Sequence, residues 1–358
     1  MSRTLGFVLL GCGRIAQRYL DLIGREQISG AHLVGVCDVK RDRAEAAARK
    51  FGVRCFFDLN EMMRSLGDKV DVVCVLTESG LHAAHVIASA KYGKHILVEK
   101  PMALRLSDAE TMITACDKAD VRLFVVKQNR YNLPIQKLRG ALEQGRFGKI
   151  VMGTVRVRWC RPQAYYDQDA WRGTWEFDGG VFSNQASHHI DMLMWMLGEP
   201  VSVFAKTRTA LVDIEAEDTG FAIVTFKSGA LGMVEATTAA RPKDLEGSLS
   251  ILGEFGSAEV GGFAMNQMRS WQFAPSVPDD ERASEDFNEN PPDVYGFGHR
   301  RYLESVVKAL QGEGGRLVDG LEGMRSLELI IAMYESAATG KEVQLRFSPQ
   351  HCLLGERP

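Results

Sequence analysis

The feature that most constrains this sequence is a glycine turn placed directly after its first apolar run. Phe7–Leu10 leads into Gly11-Cys12-Gly13-Arg14-Ile15-Ala16, a G-x-G-x-x-A pattern. In such a turn the first glycine permits the tight bend and the second lets backbone amides approach a pyrophosphate. The small third residue lets helix and strand pack closely. The pattern therefore predicts a strand, a phosphate-binding turn and a helix, in that order.

A carboxylate at the end of the next apolar run strengthens this interpretation. Asp38 follows Leu33–Cys37 and lies 22 residues after Ala16, where it would accept hydrogen bonds from the ribose hydroxyls of a dinucleotide. Because a carboxylate repels a 2′-phosphate, the sequence favours NAD over NADP as the cofactor. Lys40 and Arg41 follow closely and keep NADP open as the alternative.

Short apolar runs alternate with amphipathic stretches through the first 126 residues. This alternation predicts βαβ units around a parallel sheet, whose ligands bind at the carboxyl ends of the strands. Two strand ends carry polar groups: Thr77, followed by Ser79 and His82, and Glu99-Lys100-Pro101. Since a proline keeps the residue before it extended, we expect Lys100 to point toward the cofactor.

From about Lys127 the pattern changes to longer β segments. We predict an α/β protein with an N-terminal Rossmann domain over 1–126. A C-terminal α+β domain over 127–358 would carry a large, mostly antiparallel open sheet. Asp279–Pro292 is predicted to be a mobile loop. The strands expected in the second domain are Ile150–Trp159, Val201–Arg208, Gly220–Phe226, Ala230–Thr238, Gly247–Gly253 and Ser257–Val260.

The stretch Trp171–Asp191 concentrates the groups able to do chemistry. From Gly179 it reads GG-x3-N-x-A-x-H-x2-D, and the spacing of Asn184, His188 and Asp191 would place all three on one helix face. A histidine, whose ordinary pKa is near ~6.5, can accept a proton at neutral pH. We interpret His188 as a base and His189 as structural. Neighbouring histidines on a helix point apart, so we predict no metal site.

Charge and cysteine content exclude several functional classes. A net charge of -3 argues against a nucleic-acid partner, and no run approaches the ~18 apolar residues of a membrane helix. Seven scattered cysteines without a C-x2-C pair indicate a reducing, cytoplasmic location.

One segment nevertheless departs from this acidic average. Residues 127–172, which we call the basic belt, hold ten Lys/Arg against three acids, a local charge of +7. Arg156 and Arg158 would share the polar face of a strand, while Lys137, Arg139 and Arg146 are expected on a solvated helix face. The belt predicts an anionic substrate, because ordered arginines favour phosphate or carboxylate groups.

Taken in order, the glycine turn, Asp38, Thr77, Glu99-Lys100-Pro101 and the GG-x3-N-x-A-x-H-x2-D passage resemble the glucose–fructose oxidoreductase and inositol dehydrogenase family over the whole chain. The resemblance implies that Lys100 and His188 act beside the nicotinamide, and that the open sheet mediates assembly to a homotetramer. Most members carry a carboxylate where this chain has Asn184, so the usual lysine–aspartate–histidine relay is altered here. The cofactor-binding residues we predict are Gly11, Gly13, Arg14, Ile15, Asp38, Thr77, Ser79, His82, Glu99, Lys100, Gln128, Trp171 and Arg172.

A narrower similarity points to one group of sugar dehydrogenases. Lys127–Asn132, Tyr165–Asp167, Trp171–Trp175 and Asn184–His189 are similar to the UDP-N-acetylglucosaminuronate 3-dehydrogenases of bacterial surface-polysaccharide (O-antigen) synthesis. The similarity implies NAD-dependent oxidation of the sugar C3 hydroxyl, with Lys100, His188 and Asn184 as catalytic residues. Another sugar or polyol dehydrogenase, an NAD-dependent glycosidase without net redox change, and a nucleotide-sensing regulator remain alternatives. The substrate-binding residues we predict are Lys100, Arg130, Tyr131, Arg158, Tyr166, Asn184 and His188.

Overall fold

The computed structural model describes residues 3–289, 291, 296–314, 317–345 and 354–355. The chain forms two compact units, Met1–Val126 with His299–Met324 and Lys127–Gly298 with Arg325–Pro358. The chain therefore leaves the first unit after Val126 and returns to it with the later segment His299–Met324. None of the helices described is both long enough and apolar enough to cross a membrane.

The first unit is built on a six-stranded parallel sheet in the order β3-β2-β1-β4-β5-β6. The order reverses between β1 and β4, and the crevice at such a reversal is where open α/β sheets bind ligands. The predicted Rossmann architecture is confirmed, although the sequence pattern missed the three-residue β3. The strands are β1 (Leu5–Leu10), β2 (Ala31–Cys37), β3 (Arg54–Phe56), β4 (Val72–Val75), β5 (His95–Val98) and β6 (Leu123–Val125).

Five helices cover this sheet, and their sequences explain where they begin and what they bury. Apolar residues spaced three or four apart form the buried side of the first helix, for example Ala16, Tyr19 and Ile23. The third begins where the Asp58 side chain accepts a hydrogen bond from the Glu61 amide. The helices are α1 (Ala16–Ile23), α2 (Arg41–Phe51), α3 (Leu59–Leu66), α4 (His82–Ala90) and α5 (Leu106–Lys118).

The second unit contains an eight-stranded mixed sheet in the order β13-β12-β11-β7-β10-β9-β8-β14. Only β7 and β10 run parallel among these neighbours, so the predicted, mostly antiparallel sheet is confirmed. The strands are β7 (Ile150–Arg158), β8 (Pro200–Arg208), β9 (Thr219–Phe226), β10 (Leu231–Thr237), β11 (Glu246–Gly253), β12 (Gly256–Gly261), β13 (Gln267–Phe273) and β14 (Val343–Gln344). The helices wholly within this unit are α6 (Leu133–Glu143), α7 (Gln163–Tyr166), α8 (Ser187–Leu197) and α9 (Ala283–Asp286). Apart from Gly298, α10 (Gly298–Leu310) belongs to the first unit, and the boundary at Arg325 falls within α11 (Gly320–Thr339).

The two faces of this sheet differ in what they contact. On one face, which we call the inner face, α8 packs so closely that a Cβ added at Gly153 would lie 3.0 Å from Leu193 Cδ1. On the other, the outer face, apolar side chains of two neighbouring strands are exposed, with Phe204 at 37%, Phe221 at 52% and Ile223 at 56%. The sheet thus separates the helix that carries His188 from an uncovered apolar surface.

The segment predicted as a mobile loop begins with ordered structure. A 3₁₀ turn (Pro278–Asp280) and α9 lie within it, while Asn290 and Pro292 fall outside the described residues. Asp280 accepts two hydrogen bonds of 2.7 Å from Arg146 and one of 2.7 Å from Trp271. Arg146 is therefore a bidentate partner that fixes this segment, which corrects its assignment to a solvated helix face.

Candidate functional site

The glycine turn of the first unit has the geometry that a dinucleotide phosphate requires. Gly11 has a φ of 101°, and a Cβ there would lie 2.8 Å from the carbonyl carbon of Leu76, so only glycine fits. A Cβ at Gly13 would meet only Arg43, at 3.9 Å, which leaves the space above the turn open. Arg14 is exposed, and Ile15 is the N-cap residue directly before α1. These residues fit a pyrophosphate at a helix N-terminus.

Asp38 is held in place by backbone amides rather than left as a free surface group. Its Oδ2 accepts from the Cys12 amide at 2.7 Å and its Oδ1 from the Lys40 amide at 2.8 Å. The side chain therefore links the end of β2 to the glycine turn while staying half-buried. A fixed carboxylate at this position fits the two ribose hydroxyls of NAD and disfavours a 2′-phosphate.

The ends of β4 and β5 are tied together by a buried histidine. His82 is 1% exposed, with Nδ1 2.8 Å from the Pro101 carbonyl oxygen and Nε2 3.0 Å from that of Thr77. Burial lowers the pKa of His82, and a neutral ring can donate to only one of these carbonyls at a time. Thr77 Oγ1 lies 2.9 Å from His85 Nδ1, and Ser79 begins a 3₁₀ turn. His82 therefore braces the two strand ends, and its contact with the cofactor stays a prediction.

Glu99 is likewise an interior group. It is 5% exposed and accepts a hydrogen bond of 2.8 Å from the Tyr19 hydroxyl, with His299 Nε2 at 3.4 Å. Burial alone would raise the pKa of Glu99, but the hydrogen bond and charge of His299, with the charge of Lys100, hold it below its ordinary range. Glu99 therefore anchors the backbone before Lys100, which lies two residues after the end of β5 and is partly exposed.

In the second unit, the passage from Gly179 to Asp191 departs from the prediction at one residue. The helix α8 begins at Ser187, so Asn184 precedes it and does not share its face with His188 and Asp191. Asn184 Nδ2 donates to Asp178 Oδ1, and the other oxygen of Asp178 accepts from the Gly173 amide at 2.8 Å. Sequence reasoning missed Asp178, which is 1% exposed. The only signal was its place just before the glycine pair.

Glu217 and Tyr334 support the same turn and were also missed. The Phe182 amide donates to Glu217 Oε1 at 2.9 Å, and the Tyr334 hydroxyl donates to the same oxygen at 2.9 Å. A Cβ at Gly180 would lie 1.9 Å from Glu217 Oε2, which explains the second glycine of the motif. Burial raises the pKa of Glu217 to about 7. Both partners come from distant parts of the chain, so no local pattern could have identified them.

The two histidines that begin α8 have different surroundings. His188 is 8% exposed, and its Nε2 lies 2.9 Å from Nε2 of Gln128, which is 5% exposed. His189 is 1% exposed, stands edge-on to Trp159 with ring centroids 5.8 Å apart, and has its pKa lowered to about 4 by burial. His189 is therefore neutral and packed in the interior, whereas His188 is hydrogen-bonded to a polar side chain.

Asp191 connects α8 to the segment that carries Gln128. It accepts from Arg130 Nε at 2.7 Å and Nη2 at 2.8 Å, and Lys127 Nζ lies 3.3 Å away. All three side chains are less than 10% exposed. Burial alone would raise the pKa of Asp191, but the charges of Arg130 and Lys127 hold it below its ordinary range. Asp191 therefore links α8 to the segment that carries Gln128.

The basic belt is not the unbalanced positive surface that its sequence implied. Many of its cations pair with acids that lie outside the belt in sequence: Arg130 and Lys127 with Asp191, Arg146 with Asp280, Arg156 and Arg158 with Glu235 and Glu246, and Arg161 with Asp244. A charge count over residues 127–172 does not include the acidic partners that the fold brings in from other parts of the chain. This corrects the interpretation of the belt as free charge.

Two of the predicted substrate contacts are affected by these pairs. Arg158 donates to Glu235 at 2.8 Å and to Glu246 at 3.2 Å, and it projects from β7 onto the outer face, opposite α8. Arg130 binds Asp191 with its Nε and Nη2 atoms. The structure brings Arg130 close to the His188 helix as a structural group and does not bring Arg158 there.

Three of the remaining predicted site residues, Tyr166, Trp171 and Arg172, lie in or just after α7. Arg172 stacks over Trp171 and Tyr165, 4.6 Å and 4.7 Å from the ring centroids, and donates to the Tyr165 hydroxyl at 2.9 Å. Tyr166 is 6% exposed and its hydroxyl lies 3.0 Å from Thr238 Oγ1. Both line a surface cavity of about 480 Å³ together with Asp167, Asp169, Asp213 and Glu215. The acids make this cavity unsuitable for an anion. Tyr131 ends the 3₁₀ turn that starts at Gln128 and is partly exposed.

Family models match both parts of the chain. Residues 5–127 match the model described as an oxidoreductase family NAD-binding Rossmann fold, and residues 139–345 match the family's C-terminal alpha/beta domain. Myo-inositol 2-dehydrogenase of Thermotoga maritima is 32% identical over 235 residues, 63% of this chain and 66% of that protein. The Rossmann match agrees with the NAD-type turn described above.

Two solved structures are similar over almost the whole chain. The WlbA dehydrogenase from Bordetella pertussis, in complex with NADH and UDP-GlcNAcA, is 44% identical, with a TM-score of 0.90 over 96% of this chain and 98% of that one. WlbA from Chromobacterium violaceum, with the same two ligands, is 44% identical, with a TM-score of 0.88 over 96% of both chains. By its two family matches and its fold, the chain belongs to the GFO/IDH/MocA family of NAD-binding oxidoreductases.

Proposed function

We propose that this protein is an NAD-dependent dehydrogenase that oxidises the C3 hydroxyl of a UDP-N-acetylglucosaminuronic acid to a ketone. The observation that carries the proposal is the 44% identity, over 96% of the chain, to a dehydrogenase solved with NADH and UDP-GlcNAcA. The fixed Asp38 and the open glycine turn support NAD as the cofactor, and the buried His188 supports a base.

The roles we assign follow from the chemistry of each side chain. His188 takes the proton of the C3 hydroxyl, and general-base assistance of this kind contributes about 10²–10⁴-fold to the rate. Lys100 donates a hydrogen bond to the same oxygen, and Asn184 positions the sugar. NAD, when bound, supplies the acceptor for the hydride that leaves C3. The predicted cofactor contacts of Gln128, Trp171 and Arg172 are part of this proposal.

The negatively charged groups of the ligand must be bound by residues other than Arg130 and Arg158. Both guanidiniums are occupied by carboxylates of the second unit, and releasing either would leave a carboxylate of the protein without its partner. We therefore assign Arg130 to the support of α8 and Arg158 to the outer face. Arg172 is held flat by two aromatic rings and lies 3.5 Å from Asp169, so the same argument applies to it and we do not assign it the anionic group of the substrate.

We further propose that the protein assembles as a homotetramer through the outer face of its second sheet. Exposed apolar side chains lie in register there: Phe204 pairs with Ile223, which in turn pairs with Met233. An apolar surface of this kind is typical of a protein–protein contact. The six cysteines described are free, in agreement with a reducing cytoplasm. A role in O-antigen precursor synthesis is part of the same proposal.

The experiment that tests the function is incubation of the protein with NAD and a panel of candidate substrates, read by NADH absorbance and product mass. The panel contains UDP-GlcNAcA, the neutral UDP-GlcNAc, myo-inositol and a simple glycoside. We expect UDP-GlcNAcA to lose two hydrogens. We also expect its kcat/KM to exceed that of the neutral sugar by about 10–150-fold, the equivalent of one charge-assisted hydrogen bond of roughly 1.5–3 kcal/mol.

Other outcomes of this experiment identify the alternatives. Equal kcat/KM for the charged and neutral sugars would remove the uronic acid from the proposal. Oxidation of myo-inositol alone would point to a polyol dehydrogenase, an activity that a 32% identical relative carries in its name. Cleavage of the glycoside without accumulation of NADH would indicate the glycosidase reaction.

A further inference from the structure

The contact between Gln128 and His188 has chemical consequences beyond packing. Gln128 Nε2 lies 2.9 Å from His188 Nε2, and both side chains are buried. An amide nitrogen can only donate, so in this orientation His188 Nε2 must be the acceptor. The ring is then neutral and carries its hydrogen on Nδ1, the tautomer in which Nε2 can take a proton.

The opposite orientation of the Gln128 amide would require the other tautomer of the His188 ring. With Oε1 facing the ring, Nε2 would have to carry a hydrogen and could not act as a base. In the orientation described, Gln128 Oε1 is the one atom of the amide that lacks a hydrogen-bond partner among the described residues. Rotation would move the amide NH2, which has two hydrogens to satisfy, into that place.

A neighbouring ion pair fixes the distance between the two side chains. Arg130 lies two residues after Gln128 and binds Asp191, three residues after His188, through two hydrogen bonds of 2.7 and 2.8 Å. Lys127, the residue before Gln128, lies 3.3 Å from the same carboxylate. The 3₁₀ turn and α8 are thus joined on both sides of the Gln128–His188 contact.

We propose that Gln128 is a positioning residue that holds His188 in its neutral, proton-accepting tautomer and then supports the protonated ring. This rests on the proposed function only in naming His188 as the base. Nε2 has a single lone pair, so the amide N–H of Gln128 must turn away from it before the substrate O–H bond breaks and the proton joins Nε2. The protonated ring is a cation that no longer tolerates an amide N–H. A half-turn of the carboxamide presents Oε1 to the new N–H. A carboxamide can donate to the bare Nε2 or accept from an Nε2–H group, whereas a carboxylate can only accept from Nε2–H and a thioether is at most a weak acceptor.

The charged groups around the contact set the background for any pH measurement. On the 3₁₀ turn they are Lys127 and Arg130, on α8 it is Asp191, and before α8 it is Asp178, which is bonded to Asn184. The inner face of β7 presents Gly153, Val155 and Val157 and adds no charge. The substitutions below leave all of these groups unchanged.

The test compares Gln128→Glu and Gln128→Met with the parent protein in two measurements. The first is the pH profile of kcat/KM. A carboxylate facing the ring should move the acid limb up by about 1–3 pH units, as an adjacent opposite charge does. Gln128→Met should lower the plateau without moving the limb upward. Gln144→Glu, the same change at an exposed helix end, is the matched control and should leave the profile unchanged.

The second measurement is ¹⁵N NMR of the histidine rings in the full chain, with the His188 signal identified by its loss in His188→Asn. We expect an unprotonated Nε2 at neutral pH in the parent and a protonated Nε2 in Gln128→Glu. A protonated Nε2 in the parent, or an unchanged titration midpoint in Gln128→Glu, would overturn the inference. Because NMR needs no turnover, a shifted midpoint without any UDP-sugar oxidation would refute the proposed function and leave this inference standing.

Discussion

At the scale of single residues, His188 and His189 show how two identical neighbours in the sequence can have different surroundings. Successive side chains of a helix point about 100° apart, so one ring meets Gln128 and the other lies against Trp159 and the sheet. Burial without a charged partner lowers the pKa of His189 to about 4. Such a ring stays neutral throughout the range in which an enzyme works.

We expect His188→Asn to lower turnover by at least ~10²-fold with little change in NAD affinity, because its role is proton transfer. The control is His189→Asn, which should lower the melting temperature and keep most of the turnover. The measurements are kcat and the dissociation constant of NAD for both variants. Loss of turnover in His189→Asn with wild-type rates in His188→Asn would reverse the assignment of the two residues.

Asp38 is the residue that we expect to determine the preference for NAD over NADP. Asp38→Asn keeps an acceptor for the Cys12 amide but removes the charge, so NAD should bind more weakly and NADP relatively better. Asp38→Ala also loses both backbone bonds and should weaken NAD further. Dissociation constants of NAD and NADP, measured by titration of each variant, check this. A parent protein that already prefers NADP would contradict it and implicate Lys40 and Arg41.

Glu217 gives the second unit a pH-dependent stability of known sign. Its pKa is about 7 in the folded chain, against an ordinary 4.5, so the folded state holds the proton more tightly. Its contribution to stability is complete below pH 4.5 and is lost as the pH rises through 7. The loss amounts to about 3 kcal/mol, at 1.36 kcal/mol per pKa unit.

Glu217→Gln keeps an acceptor for Phe182 and Tyr334 but cannot ionise. We therefore expect the variant to gain stability relative to the parent between pH 4.5 and 7, by up to about 3 kcal/mol. All five tryptophans lie in the second unit, so urea unfolding followed by tryptophan fluorescence reports on it. A stability difference that does not vary with pH would show that Glu217 is ionised in both states.

At the scale of elements, periodicity and turn chemistry allowed much of the framework to be predicted. Arg41–Phe51 is a helix within one of the amphipathic stretches, and the strand Ile150–Arg158 is one residue shorter than the predicted Ile150–Trp159. The glycine turn was recognisable because its function requires particular residues at fixed spacing. Asp178, Glu217 and the partners of the arginines were not recognisable, because they come together only when distant strands and helices pack. Arg130 and Asp191, for example, are 61 residues apart.

The Arg130–Asp191 pair is the element-scale contact that we expect to matter most for stability. Removing one partner of a buried ion pair costs about 3–5 kcal/mol, so Arg130→Met should lower the free energy of unfolding of the second unit by that amount. The preference for the uronic acid over the neutral sugar should persist in the protein that remains folded. Urea unfolding and the ratio of kcat/KM values measure the two effects.

Arg282→Met is the matched control for this change. Arg282 pairs with Asp286 at 2.9 Å, but both side chains are largely exposed, and such a pair contributes less than about 1 kcal/mol. If Arg130→Met left stability unchanged and abolished the preference for the uronic acid, Arg130 would be a ligand contact after all.

At the scale of the whole molecule, the chain returns to its first unit, which no sequence pattern indicated. His299–Met324 belongs with Met1–Val126, although a division at residue 127 is what the change from short to long β segments suggests. The β6 residue Val125 shows the reason: its amide donates to the carbonyl of Val318 at 3.0 Å. A backbone contact across such a distance in sequence leaves no periodic pattern. The open sheet face was predictable, because alternation fixes which side chains point outward.

Assembly through that outer face is the last prediction. Ile223→Lys places a charge at the centre of the apolar surface, where burial in a contact would leave it without a partner. Because β9 residues of the outer face, unlike Val224, do not contribute to the core, the second unit should fold normally. Sedimentation velocity should show that the variant is smaller than the parent assembly. Leu211→Lys, equally apolar and 60% exposed but outside the strands, should leave the parent's size unchanged. An Ile223→Lys protein with the parent's sedimentation coefficient would mean that the contact between copies lies elsewhere.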